Sequence, residues 1–333
     1  MKITKIIYET RSLENQITQR TLKSFAHLPH IEIENIKDHW GRTKKPYLEK
    51  REDLHLYLGV RPAPHFKPAP DAYGISKSGE PHFYFIHAYN CIYECEYCYL
   101  QGHFQTPDLV LFVNHEDIVA SIEAQIQQTP NAWFHAGEFS DSLALSHLTD
   151  EWKLYFDLFR RYPQAQLELR TKSTNIKSIL SLDPSPNIHI TFSLSPRGVA
   201  ETYDRGTPGL PARLKAIGSL VEKQFQIGIH LDPIMIDTNT QSQYESLIEE
   251  LTLVLPDQHL SYLSLGVVRF TDSVWHQVKK NYPESPMMRQ SLVESFDGKW
   301  RAPRPMRQWH LGKIKDALVK SGYDPQKIYY CME

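Results

Sequence analysis

Apolar residues along this chain fall into short runs separated by amphipathic stretches, and from residue 82 onward the two kinds alternate. The aromatic-rich run His82-Phe-Tyr-Phe-Ile-His-Ala-Tyr89 predicts a buried strand. Beyond it the pattern predicts a helix near His115 to Gln128, a strand at Ala132 to Ala136, a helix at Asp150 to Arg161 and a strand at Gln166 to Thr171. Further strands are expected at Ile188 to Ser193, Gln226 to Leu231 and Leu260 to Val268, with helical stretches between them. Repeated strand–helix units imply a parallel sheet with right-handed crossovers, either open or rolled into a full or partial barrel. The first eighty residues differ: short apolar runs are mixed with breakers, and Arg61-Pro-Ala-Pro-His-Phe-Lys-Pro-Ala-Pro70 reads as a stiff, extended connector.

In such folds functional groups gather at the carboxyl ends of the strands. Residues Cys91 to Cys98 follow the first strand, and Gly137, Glu138, Ser140 and Asp141 follow the second. Lys172 ends the third, where its ammonium can reach a carboxylate or phosphate; Ser193, Ser195 and Arg197 follow the fourth. Ser140 and Asp141 read equally as helix caps.

The run Cys91-Ile-Tyr-Glu-Cys95-Glu-Tyr-Cys98 holds three of the four cysteines. Thiolates at this spacing can bind three irons of a cubic iron–sulfur cluster and leave the fourth iron open to a cofactor or substrate. A structural zinc site is the alternative, with His87 or His103 completing the set. A disulfide framework is disfavoured, because four cysteines in 333 residues fit a reducing compartment.

Length and composition narrow the class. A chain of 333 residues with 41% hydrophobic content can bury a large core as one barrel-type domain with additions or as two smaller domains. No apolar run approaches the about eighteen residues of a membrane span, and the amino terminus lacks the features of a secretory signal, so a cytoplasmic protein without membrane association is expected. The net charge of −2 gives no global attraction to nucleic acid; any such partner requires a local basic surface. The richest stretch runs from Lys299 through Trp300, Arg301 and Arg304 to Arg307. Its arginines and tryptophans are suited to phosphates and base stacking, or to a solvated surface with aromatic anchors.

The C-x3-C-x2-C spacing resembles that of the radical S-adenosylmethionine (SAM) superfamily, and Cys91 to Gln101, CIYECEYCYLQ, resembles the cluster loop of the spore photoproduct lyase family. Scattered matches extend the likeness over the chain, among them Leu58-Gly59-Val60, Val113-Asn114, Ser140-Asp141, Thr171-Lys172, Phe192-Ser193, Pro233-Ile234, Arg269-Phe270 and Lys299-Trp300. The resemblance implies an α/β fold built on a partial (β/α)6 TIM-type barrel of the radical SAM type. It places an N-terminal extension at 1–80, the core barrel at 81–272 and a C-terminal region over the barrel mouth at 273–333. It further implies a [4Fe-4S] cluster on Cys91, Cys95 and Cys98, SAM, a reducing donor such as flavodoxin or ferredoxin, and repair of a thymine photoproduct in DNA. Ser140, Lys172 and Ser193 match the family's SAM-binding positions, and Tyr97 and Tyr99 match tyrosines that sit beside the cluster and help return the hydrogen atom.

One departure bears on function. Family members carry a hydrogen-donating cysteine where this chain has Glu138, and a carboxylate cannot replace a thiol in that role. Ala136-Gly137-Glu138 instead resembles the Gly-Gly-Glu motif of other radical SAM enzymes, which assigns Gly137 and Glu138 to the amino group of SAM. The spare thiol, Cys331, becomes a candidate hydrogen donor or an incidental apolar residue near the terminus. Besides photoproduct repair, the sequence is compatible with a radical SAM modification of another nucleic acid or a small molecule, and with a non-catalytic, metal-stabilised DNA-binding protein.

Overall fold

Two large sheets divide the chain between them. The computed structural model describes residues 2–70, 74, 80–237 and 239–332; positions 71–73 and 75–79 of the expected N-terminal extension, and Glu333 of the C-terminal region, lie outside the described residues. The parallel strands of the larger sheet are β5 (His82–Phe85), β9 (Trp133–Ala136), β10 (Gln166–Thr171), β11 (Ile188–Ser193), β13 (Gln226–Ile234), β14 (Leu260–Val267) and β18 (Ile328–Tyr330). The edge strand β4 (Phe66–Pro68) runs antiparallel to β5. Their order across the sheet is β18-β14-β13-β11-β10-β9-β5-β4. Helices His115–Gln128, Trp152–Arg161, Leu210–Glu222, Thr240–Thr252 and Arg304–Lys320 bury residues against this sheet, including Ile118, Phe156, Leu214, Ile248 and Ile314. Strands covered on both faces lose the hydrophobic–polar alternation, and every residue of β11 is buried.

The inner face is polar. Glu168 on β10 is 1% exposed and accepts hydrogen bonds from His135 of β9 and, at 3.0 Å, from His230 of β13, while Arg170 reaches it at 3.3 Å. Burying this carboxylate requires such partners, because an unpaired charge inside a protein costs several kcal/mol, roughly. Arg170, two residues further along β10, lies toward the carboxyl-end rim.

The smaller sheet is made from β1 (Ile3–Glu9), β2 (His30–Ile33), β3 (Leu54–Gly59), β6 (Ala88–Tyr89) and β8 (Leu109–Phe112), in the order β2-β1-β3-β8-β6. All pairings are parallel except that of β6 with β8. Two sequence expectations change here. The run His82 to Tyr89 is not one strand: β5 belongs to the larger sheet and β6 to the smaller, with Ile86 and the buried His87 carrying the chain across. The smaller sheet also draws β6 and β8 from beyond residue 80, so sheet membership crosses the expected boundary. The proline-rich connector supplies β4, where Pro68 is tolerated because an edge strand has a side with no ladder to complete.

Two short sheets complete the fold. β7 (Glu94–Cys95) pairs antiparallel with β12 (Asp204–Arg205), and β15 (Arg269–Thr271), β17 (Lys299–Arg301) and β16 (Val293–Glu294) form an antiparallel wing. Phe296, in the turn between β16 and β17, is 100% exposed. Among the described residues no helix is long and apolar enough to cross a membrane.

Candidate active site

The cysteine loop is held from outside by its acidic residues. Cys95 pairs with Asp204 across the β7–β12 ladder, and Glu94 pairs with Arg205. The buried Glu94 carboxylate binds the Arg51 guanidinium and accepts from the Tyr282 hydroxyl at 3.2 Å. Glu96, also buried, binds Arg205 and accepts from Ser285 Oγ at 2.6 Å. From the smaller sheet's side Lys50, only 2% exposed, donates to the carbonyl oxygens of Cys91 and Tyr93 at 2.7 and 2.6 Å.

All three loop thiols are free. Burial pushes the Cys91 thiol up to about 12, with Asp141 adding and Lys50 opposing, and burial holds Cys95 well above the usual thiol range. Such thiols release their protons when a cationic centre binds them. No three His, Cys, Asp or Glu side chains among the described residues converge at ion-ligand distance. Thiolates on separate corners of a cube stand further apart than ligands of a single ion, since each binds its own iron. Three free cysteine thiols on one loop are the donor type of a cubic iron–sulfur cluster.

The strand ends supply the rim. Gly137, at φ 91°, is required by space as well as conformation: a Cβ would lie 2.7 Å from the Arg170 carbonyl oxygen and 2.8 Å from Ser142 Oγ. Glu138 follows it; burial pushes its carboxyl up, and Arg170, 4.0 Å away, opposes the shift. Asp141 ties β9 to β10, accepting from Thr171 Oγ1 at 2.6 Å and the Lys172 amide at 2.7 Å while capping Leu143 and Ala144. The helix cap expected from sequence is not formed, since the next helix begins at Ser146 with Leu145 as its N-cap; Asp141 instead holds the turn before it and sets the position of Lys172. Burial works against the Lys172 charge, but Cys95 and Asp204 outweigh it and raise the ammonium above its usual value. Ser193 is buried at the end of β11, and its carbonyl accepts from Arg213 at 2.9 Å.

The sequence profile of the family described as spore photoproduct lyase matches residues 7–301. The chain belongs to the spore photoproduct lyase family. With that family it belongs to the radical SAM enzymes. It is 24% identical over 296 residues to the spore photoproduct lyase of Bacillus subtilis (strain 168), an alignment covering 86% of this chain and 84% of that protein. It is 26% identical over 205 residues to the enzyme of Geobacillus sp. (strain Y412MC61), covering 60% of each. A solved spore photoproduct lyase variant with bound AdoMet and dinucleoside spore photoproduct superposes with a TM-score of 0.82 at 20% identity, covering 99% of this chain and 98% of that one. A second, complexed with dinucleoside spore photoproduct, gives 0.80 at 20% identity, with 99% of each chain covered. The fold is thus that of the family, and the hydrogen-bonded order running from β18 to β4 is consistent with its partial barrel.

Tyr97 and Tyr99 tie the cysteine loop to different partners. Tyr97 donates to Asp204, which is itself held by the fully buried Arg213 at 3.0 Å, and Lys172 lies 5.4 Å from the Tyr97 ring. Burial and Asp204 hold the Tyr97 hydroxyl well above the usual phenol range. Tyr99, 36% exposed, donates to the Glu138 carbonyl oxygen at 2.5 Å and so joins the cluster loop to the rim of β9.

Cys331 is 3% exposed at the end of β18, its amide bonded to the Leu265 carbonyl oxygen at 2.8 Å. Its thiol lies 3.7 Å from Arg269 Nη2, and Arg269 forms a two-pronged pair with Asp232 at 3.0 Å on each arm. Burial and Asp232 push the thiol up to about 12, which keeps the S–H bond intact near neutrality.

The expected basic surface is largely absent. Arg301 is 2% exposed and binds Asp297, Ser295 Oγ and the Met332 carbonyl oxygen, while Arg307 is 6% exposed and donates to the Ala302 carbonyl oxygen. Lys299 pairs with Asp297 at 3.2 Å, and the Trp300 indole donates to Asp272 at 3.1 Å. Arg304 alone of the three arginines is exposed, because the helix beginning there turns Arg307 inward one turn later. Sequence reading missed Lys50, Arg170, Asp204, Arg213 and Asp232, and gave Arg269 no role beyond a scattered family match. Each acts through a partner distant in sequence or on a neighbouring strand, so no local spacing signalled it.

Proposed function

We propose that this protein is a radical SAM lyase that repairs a thymine photoproduct in DNA. The observation that carries the reading is the cysteine loop, anchored from outside by Lys50, Arg51 and Arg205 and linked through Tyr99 to the strand-end rim. A [4Fe-4S] cluster on Cys91, Cys95 and Cys98 supplies, when bound and reduced by a donor such as flavodoxin or ferredoxin, the electron that cleaves SAM to methionine and a 5′-deoxyadenosyl radical. Gly137 leaves room for close backbone approach. The Glu138 carboxylate accepts the SAM ammonium, and Ser140, Lys172 and Ser193 provide further polar contacts. Tyr97 and Tyr99 wall the cluster loop.

With a carboxylate at position 138, the lyase reading requires another hydrogen donor. The Cys331 thiol has the chemistry for that role. Its hydrogen atom passes to the product radical on the thymine, leaving a thiyl radical that takes a hydrogen atom from a tyrosine O–H, and the tyrosyl radical so formed takes back the hydrogen atom held by 5′-deoxyadenosine. Tyr329, two residues earlier on β18, lies half-buried on the same side of the strand. Glu138 itself favours a second reading, in which the abstraction serves a different modification of a nucleic acid or small molecule.

Anaerobic reconstitution of the chain, followed by assay of 5′-deoxyadenosine with and without dinucleoside spore photoproduct, tests both. Repair to thymidine, lost on replacing Cys91, Cys95 or Cys98 by Ala, supports the lyase. SAM cleavage without lesion turnover supports the second reading, and no SAM cleavage overturns both.

A further inference from the structure

A cavity of about 550 Å³ opens at the carboxyl ends of the smaller sheet, apart from the radical SAM rim. The strand order β2-β1-β3-β8 means that the chain leaves β1 toward one side and, after β2, crosses to the other to form β3. The carboxyl ends of β1 and β3 therefore form a topological switch point, where open parallel sheets leave a crevice that takes ligands. Glu9 ends β1, Gly59 ends β3, and both Glu9 and Val60 line this cavity.

The crevice is a built structure. Glu9, 1% exposed, accepts from the amides of Ile36 and Val60 at 2.8 Å each and from Arg11 Nε at 2.9 Å. One carboxylate thereby fixes the loops after β1, β2 and β3 and is itself saturated. Gly59 permits this, since a Cβ there would lie 2.3 Å from Ile36 Cδ1 and 3.0 Å from Glu9 Oε2.

The remaining charge is positive. Arg11, paired with Glu9, and Lys37, Arg42 and Arg61 line the cavity, Arg42 also reaching the exposed Asp38 at 3.8 Å, in a chain whose net charge is −2. The Arg61 guanidinium lies 5.7 Å from the Tyr89 and Phe112 rings, and its buried Nε finds no acceptor among the described residues. The wall is aromatic: Trp40 stacks on Tyr89 with centroids 5.3 Å apart, and the Trp40 indole N–H is held by the Asp108 carbonyl oxygen. A cationic rim asks for a phosphate, and a fixed aromatic stack asks for a planar ring. The volume falls within the roughly 300–1,000 Å³ of small-ligand pockets.

We propose that this cavity binds a nucleotide, with the base against the Trp40–Tyr89 pair and the phosphate held by Arg61 with Lys37 and Arg42. The nucleotide is either a free mononucleotide or an unpaired residue of a DNA strand. The site does not depend on the radical SAM reading.

Calorimetric titration of the full chain with AMP, dTMP, FMN, hexathymidylate and inorganic pyrophosphate tests the proposal. A mononucleotide that binds more tightly than pyrophosphate identifies a free ligand; hexathymidylate binding without mononucleotide binding identifies a strand. In either case Arg61→Gln weakens binding by about tenfold or more. The surface double variant Lys37→Glu, Arg42→Glu, which leaves the fold's interior untouched, does the same, and Cys91→Ala, Cys95→Ala, Cys98→Ala retains binding. The proposal is overturned if none of the nucleotides binds up to about 1 mM, if pyrophosphate binds as tightly as they do, if both sets of charge variants bind as the parent does, or if the triple cysteine variant loses binding.

Discussion

The Lys50 ammonium donates to the Cys91 carbonyl oxygen at 2.7 Å across a separation of 41 residues, joining the segment before β3 to the cysteine loop of the barrel. Burial lowers the proton affinity of this lysine, and the neighbouring thiols oppose that shift. Lys50→Met should leave two buried carbonyl oxygens unsatisfied and lower stability by about 2–4 kcal/mol. Iron bound per chain after anaerobic reconstitution should fall with it; unchanged iron content and melting temperature would remove Lys50 from the support of the loop.

Arg170 stands between two carboxylates, Glu168 at 3.3 Å and Glu138 at 4.0 Å. Because burial raises the Glu138 pKa and Arg170 opposes it, Arg170→Met should raise it further. Only the carboxylate accepts the SAM ammonium well, so SAM affinity in the variant should rise with pH through the new, higher pKa and be weakest in acid. Glu138→Ala should weaken binding most where the parent's carboxyl is ionised and least in acid, without changing iron content. Titrations of SAM against pH, compared across the three proteins, check both statements.

Cys331→Ser keeps the size of the side chain and replaces a weak S–H bond with a strong O–H bond. If the thiol donates hydrogen, the variant should cleave SAM in the presence of the dinucleoside photoproduct yet return little thymidine, with the product radical diverted to adducts visible by mass spectrometry. Parental thymidine yield would exclude Cys331 from the transfer.

Arg301 and Arg304 lie three residues apart and should behave differently. Arg301→Ala removes the ties to Asp297 and the Met332 carbonyl oxygen, so it should lower the melting temperature and loosen the chain end that carries Cys331. Arg304→Ala should leave stability unchanged and, if DNA crosses this surface, reduce the slope of log affinity against log salt by about 1 or slightly less. Thermal scans and binding titrations at several salt concentrations separate the two effects.

Burial holds His115 and His189 down to about 4, and both are almost fully enclosed. In the unfolded chain each takes up a proton near the ordinary histidine value of about 6.5, whereas the folded protein keeps it neutral. The unfolded state therefore binds more protons between pH 6.5 and 4, and stability should fall as pH drops through that window by about 2 kcal/mol per residue at pH 5. Urea unfolding of the parent and His189→Gln at pH 7 and pH 5 checks this; the variant should lose less stability than the parent over the same interval.

The amino-acid sequence by itself determined the strand–helix alternation, and β10 and β11 fall on the residues their apolar runs predict. It also determined the cysteine triplet and the succession of Gly137, Glu138, Ser140, Lys172 and Ser193 behind the strand ends. These features are local: periodicity and spacing encode them within a few residues. Tertiary structure decided the rest. The apolar run from His82 to Tyr89 satisfies either sheet, and only the packing of both sheets splits it between them. Arg301 and Arg307 look like surface cations in a basic stretch, but whether an arginine meets solvent or a buried carbonyl depends on the direction of its strand or helix. Lys50, Arg213 and Arg170 carry no local signature, because their partners lie on other elements that only the folded chain brings within reach. Cys331 is the sharpest case: a lone thiol near the end of the sequence reaches the strand-end rim because β18 adds to β14 in parallel, a pairing that hydrogen bonds between distant segments establish and no local pattern announces.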